Sequence, residues 1–189
     1  ADGGSIAAGD DHWVAYWLQR VSGGYHAFVA RSEDEGGTWT TPVRLHDDDS
    51  ASEHGFVVAL PQSDGTTPIA WLDGRAWADD EVPDETALMV RTMDASGALG
   101  PESVIDARGC DCCPTDGVAT GDRTLVAYRD RTEDEKEARC RAAQADLTRS
   151  FAAPSGMAPS IRGLGFAALR MREAEAGAGE RVVVLARVK

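Results

Sequence analysis

A period of about 56 residues runs through the chain, and it constrains the fold more than any single residue does. The segment Ala7–Tyr16, AAGDDHWVAY, returns 112 positions later as Ala119–Tyr128, ATGDRTLVAY, with six of ten residues identical. Near the half-way point lies Pro68-Ile69-Ala70-Trp71, a similar run of small residues before an aromatic. Arg20, Arg75 and Arg131 each follow the aromatic within four residues. Gly55-Phe56-Val57-Val58-Ala59-Leu60 is echoed by Gly165-Phe166-Ala167-Ala168-Leu169. Within each unit the apolar runs are short, rich in β-branched and aromatic residues, and bounded by Gly, Asp and Pro, which reads as strands. In the second unit the runs predict strands near 55–61, 67–73, 86–92 and 102–106. Four antiparallel strands per unit at this period describe a β-propeller blade. A β-sandwich of unrelated strands would satisfy the same runs but gives no reason for the repeat. The units fall at about 1–50, 55–106 and 113–155, with the start of a fourth at about 163–189. Only Gly165–Glu180 dissents, because its Ala, Leu, Arg, Met and Glu favour a helix.

Composition removes several classes of function. Nineteen Lys and Arg against 32 Asp and Glu give a net charge of −13, a field that repels a phosphate backbone and argues against nucleic acid as a partner. No apolar run approaches the roughly 18 residues of a membrane span. The chain opens Ala1-Asp2-Gly3-Gly4 without Met or a signal peptide, as expected of a processed form or a fragment.

Within the first unit stands Ser32-x-Asp34-x-Gly36-x-Thr38-Trp39. Its Ser and Asp oxygens can bond backbone groups inside a tight turn, Gly36 permits a positive φ, and Trp39 can pack over the sheet. We read it as an element of the fold and not as a site. Degraded copies follow in later units, with Thr92 for Ser and with Leu99 or Phe151 for Trp. The motif is that of the Asp-box, and the chain resembles the sialidase superfamily of Asp-box (BNR-repeat) propellers over most of residues 5–155. It is most similar to bacterial sialidase-like proteins with a Cys-x-Cys-Cys-Pro segment, here Cys110-Asp111-Cys112-Cys113-Pro114. The resemblance implies a six-bladed ring of roughly 330 residues, of which this chain supplies about three and a half blades. Further blades or a second copy would then close the ring. It also implies a secreted or periplasmic protein directed at carbohydrate, an exo-acting glycoside hydrolase in its full-length form, with no cofactor. A non-catalytic propeller that binds a glycan or a protein is the alternative.

Blade topology puts the Asp-box on one face, while the b–c loops and the crossovers share the other. The loop-rich face therefore collects 20–24, 73–85 and 129–137 with crossovers 46–54 and 106–116. In sialidase-like enzymes three arginines clamp the substrate carboxylate, an Asp is the acid, and a Tyr with a Glu partner attacks the sugar. The resemblance makes Arg75, Arg129 and Arg131 candidates for anion contacts, with Asp73, Asp130 and His54 beside them. Asp47, Asp48 or Asp49 could supply an acid. Against each stands a plainer reading: the arginines as ion-pair partners of Asp73 or Asp130, the acids as a solvated loop. No Phe-Arg-Ile-Pro type segment marks a first clamp arginine, no Tyr–Glu pair is assignable, and Tyr16 and Tyr128 share the repeat position of Trp71, a core aromatic.

Cys110, Cys112 and Cys113 admit three readings: a structural disulfide with a distant partner such as Cys140, buried thiols, or a soft-metal site. Export, as the resemblance implies, would permit oxidation. The acidic runs Asp79-Asp80-Glu81, Asp84-Glu85 and Glu133-Asp134-Glu135 offer oxygen ligands for Ca2+ but lack the alternation of a calcium loop, so they read as surface.

Overall fold

A computed structural model describes residues 3–81, 85–120, 123–129, 131, 169–175 and 181–187. Twelve strands form three four-stranded sheets, and the described residues contain no α-helix. In the first sheet β1 (Gly4–Ala8), β2 (Trp13–Val21), β3 (Gly24–Ser32) and β4 (Val43–Arg44) run as an antiparallel meander. Ser22 and Gly23, both at positive φ, make the two-residue β2–β3 turn whose twist suits a hairpin. The second sheet repeats the order with β5 (His54–Ala59), β6 (Thr67–Asp73), β7 (Thr86–Met93) and β8 (Ser103–Gly109). These four match the strands expected of the second unit.

The third sheet departs from the repeat. β9 (Asp116–Thr120) and β10 (Arg123–Arg129) form the expected antiparallel pair, but β10 pairs in parallel with β12 (Arg181–Arg187), and β11 (Leu169–Glu175) lies outside it. The segment expected to open a fourth unit therefore contributes strands to the third sheet. The helix expected over Gly165–Glu180 is a strand where it is described, at 169–175. Seven residue pairs with β12 outweigh the modest helix preference of Leu, Arg, Met and Glu.

The sheets stack face to face, with β6 at the centre. Its sequence, TPIAWLD, alternates between two cores. Ile69 and Trp71 meet Val14, Ala27, Val29 and Leu45 of the first sheet's segment. Ala70 and Leu72 belong to the cluster that includes Leu88, Val90, Val126 and Tyr128. A strand covered on both faces loses the apolar–polar alternation of a surface strand, which explains its near-continuous apolar run. Tyr128 is buried and Tyr16 packs against the core that holds Trp71, in keeping with their shared position in the repeat.

The Asp-box closes the β3–β4 connection as its residue types dictate. Asp34 Oδ1 accepts from the Thr38 N–H at 2.7 Å and the Ser32 hydroxyl at 2.8 Å, while Asp34 Oδ2 accepts from the Thr38 hydroxyl at 2.8 Å. The Gly36 N–H donates to Ser32 Oγ, and Trp39 Nε1 donates to the Gly36 carbonyl. Gly36 takes φ +88, the left-handed conformation that favours glycine, with Trp39 and Trp13 packed beside it. The degraded copy keeps the device: Asp94 Oδ1 accepts from the Ser96 and Ala98 N–H groups, with Gly97 at φ +84. The Thr38 donors, with help from Ser32, hold the Asp34 carboxyl below its ordinary value.

Leu88 is fully buried, whereas Val104 is 59% exposed. Leu88→Ala is expected to cost about 2–5 kcal/mol, read from the urea midpoint. Val104→Ala should stay within about 0.5 kcal/mol.

Candidate functional site

The face opposite the Asp-box is built by the β4–β5 crossover, the β6–β7 loop with its short 3-10 turn at Arg75–Ala78, and the β8–β9 crossover. Backbone bonds tie these loops together. Gly74 N–H donates to the Glu53 carbonyl at 2.9 Å, and Cys110 N–H donates to the Arg129 carbonyl at 2.9 Å. A Cβ on Gly74 would stand 2.8 Å from that same Glu53 oxygen, so only glycine allows this approach.

An ionic network anchors the face. Asp73, buried at the end of β6, accepts two bonds from Arg75 (Nε and Nη2, each 2.7 Å), one from the Arg75 N–H and one from Trp71 Nε1 at 2.8 Å. Arg75 Nη2 also donates to Glu102 at 2.9 Å, and Glu102 accepts from the Asp47 N–H. Arg91, buried, donates to the Leu45 carbonyl and to Asp47 Oδ1 at 3.1 Å. Burial pushes the Asp73 carboxyl up, but Arg75, Trp71 and His54 outweigh it and hold the group below its ordinary value.

Beside this network lie three buried imidazoles that the sequence separates. His26 from β3, His46 after β4 and His54 at the start of β5 stack with nearly parallel rings, the His46 and His54 centroids 3.6 Å apart. His26 Nδ1 and His46 Nε2 share a hydrogen bond at 3.2 Å, and His54 Nε2 lies 3.0 Å from Asp48 Oδ2. The ring nitrogens come close enough to suggest a metal centre. The stacking forbids it for His46 and His54. A metal lies in the plane of each ligating ring at about 2.0–2.1 Å, and no point satisfies two parallel planes this far apart. His46 and His54 stand neutral at ordinary pH. Burial above all lowers His46 to about 3, protonation of His54 would oppose its charging further, and burial likewise lowers His54.

Next to Gly74 a cleft of about 290 Å3 opens between Glu53, Phe56, Leu72, Trp77, Thr86 and Asp111. Two of its walls are exposed aromatics, Phe56 and Trp77. Phe56 sits at a β-bulge in β5 with φ +49, a conformation unfavourable for a bulky residue, and the bulge re-aims its ring outward. The Phe56 carbonyl accepts the Thr115 hydroxyl, and Trp77 Nε1 donates to Thr86 Oγ1 at 3.1 Å.

At the far wall the β8–β9 crossover gathers three sulfurs. Cys110 Sγ lies 3.0 Å from Cys113 Sγ and 3.2 Å from Cys112 Sγ, with 4.0 Å between the latter two. Arg129 Nη1 approaches Cys110 at 3.6 Å and Cys113 at 3.7 Å. The Cys110 thiol donates to Cys113, and with Arg129 this lowers the Cys113 thiol to about 5 against the upward push of burial.

The arginine candidates thus divide. Arg75 joins Asp73 and lies in the same region as His54, Arg129 faces the sulfurs, and Arg131 Nη1 stands 3.9 Å from Asp111. The three crossover acids separate too: Asp47 to Arg91, Asp48 to His54 and Ser50, Asp49 to Arg44 at 2.6 Å. Asp79, Asp80 and Glu81 are exposed beside an open crevice lined also by Asp48 and Arg75. Asp84, Asp130, Glu133–Glu135 and Cys140 lie outside the described residues. Sequence reasoning missed the histidine stack and the Phe56–Trp77 cleft. For the cleft, the signal was Trp77 inside a loop crowded with acids. For the stack there was none short of the strand order.

Comparison with protein-family models, curated proteins and solved structures returned no match to the chain.

Two predictions follow from these groups. Unfolded imidazoles titrate near 6.5, so below that pH the unfolded chain binds protons that His46, His54 and His12 refuse in the fold. Stability is therefore complete above pH 6.5 and falls as pH drops through it, by up to about 1.4 kcal/mol per pH unit for each histidine. Urea midpoints between pH 7.5 and 5 should show this, and His46→Gln should flatten the slope. At pH 6.5 and with reductant removed just before the reaction, Cys113 should be alkylated by iodoacetamide ahead of an ordinary thiol, and Arg129→Gln should slow that reaction.

Proposed function

We propose that this chain is part of a sialidase-type β-propeller, exported, whose loop-rich face binds a neutral carbohydrate without hydrolysing it. The observation that carries the reading is the cleft in which exposed Trp77 and Phe56 stand beside the carboxylates of Glu53 and Asp111. Aromatic faces suit the apolar C–H faces of a sugar ring, and carboxylates accept its hydroxyl protons. The stacked sheets, the paired Asp-turns and the 56-residue period support the propeller part of the reading. Blades outside this segment, or a second copy, would close the ring.

Three features favour binding over hydrolysis. Arg75 spends its Nε–Nη2 edge on Asp73 and Glu102, which leaves Nη1 alone for a substrate carboxylate in place of the two-bonded fork a clamp arginine offers. A catalytic acid needs a raised pKa. Burial pushes Asp48 up, but the Ser50 hydroxyl, His54 and Arg75 outweigh it and keep the carboxyl ionised at neutral pH. The net charge of −13, with acids on the cleft wall, disfavours an anionic sugar.

The test is calorimetric titration with N-acetyllactosamine and with its sialylated form. The neutral sugar should bind more tightly, and Trp77→Ala should weaken it about 10-fold, the loss of one aromatic contact. Absence of binding across a panel of neutral oligosaccharides, or binding indifferent to Trp77→Ala, would sink the reading. Turnover of a fluorogenic sialoside that Arg75→Ala abolishes would make the protein a hydrolase instead.

A further inference from the structure

We propose that Cys110, Cys112 and Cys113 form a three-sulfur site for a soft monovalent metal ion, Cu(I), on the β8–β9 crossover. The proposal stands on the arrangement of the sulfurs and does not depend on the carbohydrate reading.

The sulfurs lie 3.0, 3.2 and 4.0 Å apart, well beyond the roughly 2.05 Å of a disulfide bond. Metal–thiolate bonds of about 2.3 Å hold sulfurs about 3.8–4.0 Å apart in a trigonal or tetrahedral site. The Cys112–Cys113 pair already has that separation, and Cys110 reaches it by withdrawing less than about 1 Å from each neighbour. One short loop thus converges three soft donors on a point.

The loop is held at both ends. Cys110 N–H bonds the Arg129 carbonyl, Arg131 N–H bonds the Arg108 carbonyl, and the Thr115 hydroxyl bonds the Phe56 carbonyl. Such anchoring fixes a ligand set before the ion arrives. Arg129 stands behind Cys110 and Cys113 at 3.6 and 3.7 Å, where its charge offsets that of coordinating thiolates, as outer groups around a metal do. Cys110 is buried and Cys112 exposed, so the ion has an entry side and a closed side.

Donor number selects the metal. Thiolates take Cu(I), zinc and iron–sulfur clusters alike, but structural zinc closes a tetrahedron of four protein ligands, whereas the described residues group three sulfurs here, a number that suits Cu(I). Among the described residues no histidine or carboxylate groups with these three sulfurs. Each thiol that coordinates gives its proton to solvent, so uptake acidifies an unbuffered solution.

The experiment is anaerobic titration of the reduced full chain with Cu(I) against bicinchoninate, followed by X-ray absorption at the copper edge. One Cu(I) per chain with three sulfur neighbours is expected. Cys112→Ser, on the exposed side, and Cys113→Ser should each weaken binding by more than about 100-fold, and Arg129→Gln by about 10-fold. Circular dichroism of each variant separates loss of the site from loss of the fold. The proposal is overturned by no stoichiometric uptake, by uptake unchanged in well-folded Cys112→Ser and Cys113→Ser, or by Zn(II) held in preference to Cu(I). A Cys110–Cys113 disulfide that persists under reductant would overturn it as well.

Discussion

Strand β6 is covered on both faces, and the rest of the molecule is arranged around that fact. Its odd-numbered apolar residues, Ile69 and Trp71, fill the core shared with the first sheet, and its even-numbered ones, Ala70 and Leu72, fill the other. A strand so placed can carry a polar residue only where it leaves the core, and it does so at Asp73. There the carboxylate is buried but saturated with donors from Trp71 and Arg75, with His54 nearby. A buried carboxylate without such partners would be prohibitive, so Trp71 and Arg75 are structural requirements of the strand's exit. The arginine in this position of the repeat thus has a task before any ligand is considered.

The two ends of the sheets are built on opposite principles. At the Asp-box end the chain satisfies itself locally: Asp34 and Asp94 bond residues within four positions, and each turn carries a glycine at positive φ. Such turns could be cut from one unit and set in another. At the opposite end local contacts such as Asp73 with Arg75 are tied together by contacts between distant segments. Examples are Glu102 with Asp47 and Arg75, Gly74 with Glu53, and Arg129 with Cys110 and Cys113. Long-range closure costs more chain entropy than a local turn, and it tolerates strain of the kind seen at Phe56. Groups of unusual chemistry accumulate at the end built this way.

That contrast explains what could be read in advance. The strands of the second unit and the Asp-turns are properties of local sequence, so periodicity and turn chemistry recover them. The direction of the loop-rich face follows from strand order alone. The histidine stack is invisible because His26, His46 and His54 are brought together only by the pairing of β3 with β4 and the following crossover. The third sheet was misread for a related reason. Local composition over 165–180 favours a helix, and nothing nearby in sequence reveals that β12 offers its edge to both β10 and β11. The cysteine cluster was legible as a cluster but not as a geometry, since spacing fixes which sulfurs are neighbours and not how far apart they stand.

Charge connects these observations. The chain carries a large excess of acid, yet the loop-rich face pairs Arg75 and the buried Arg91 with carboxylates and keeps His46 and His54 neutral. Cations placed in contacts with carboxylates and carbonyls leave the surrounding field negative, and a negative field concentrates cations and repels anions at the cleft mouth. An anionic sugar would meet that field with the Nε–Nη2 edge of Arg75 already engaged. A metal cation approaching Cys112 would be drawn by the same field, and Arg129 behind the sulfurs would temper the charge it finds there. One distribution of charge thus disfavours the ligand implied by the family resemblance and favours the ion suggested by the sulfurs.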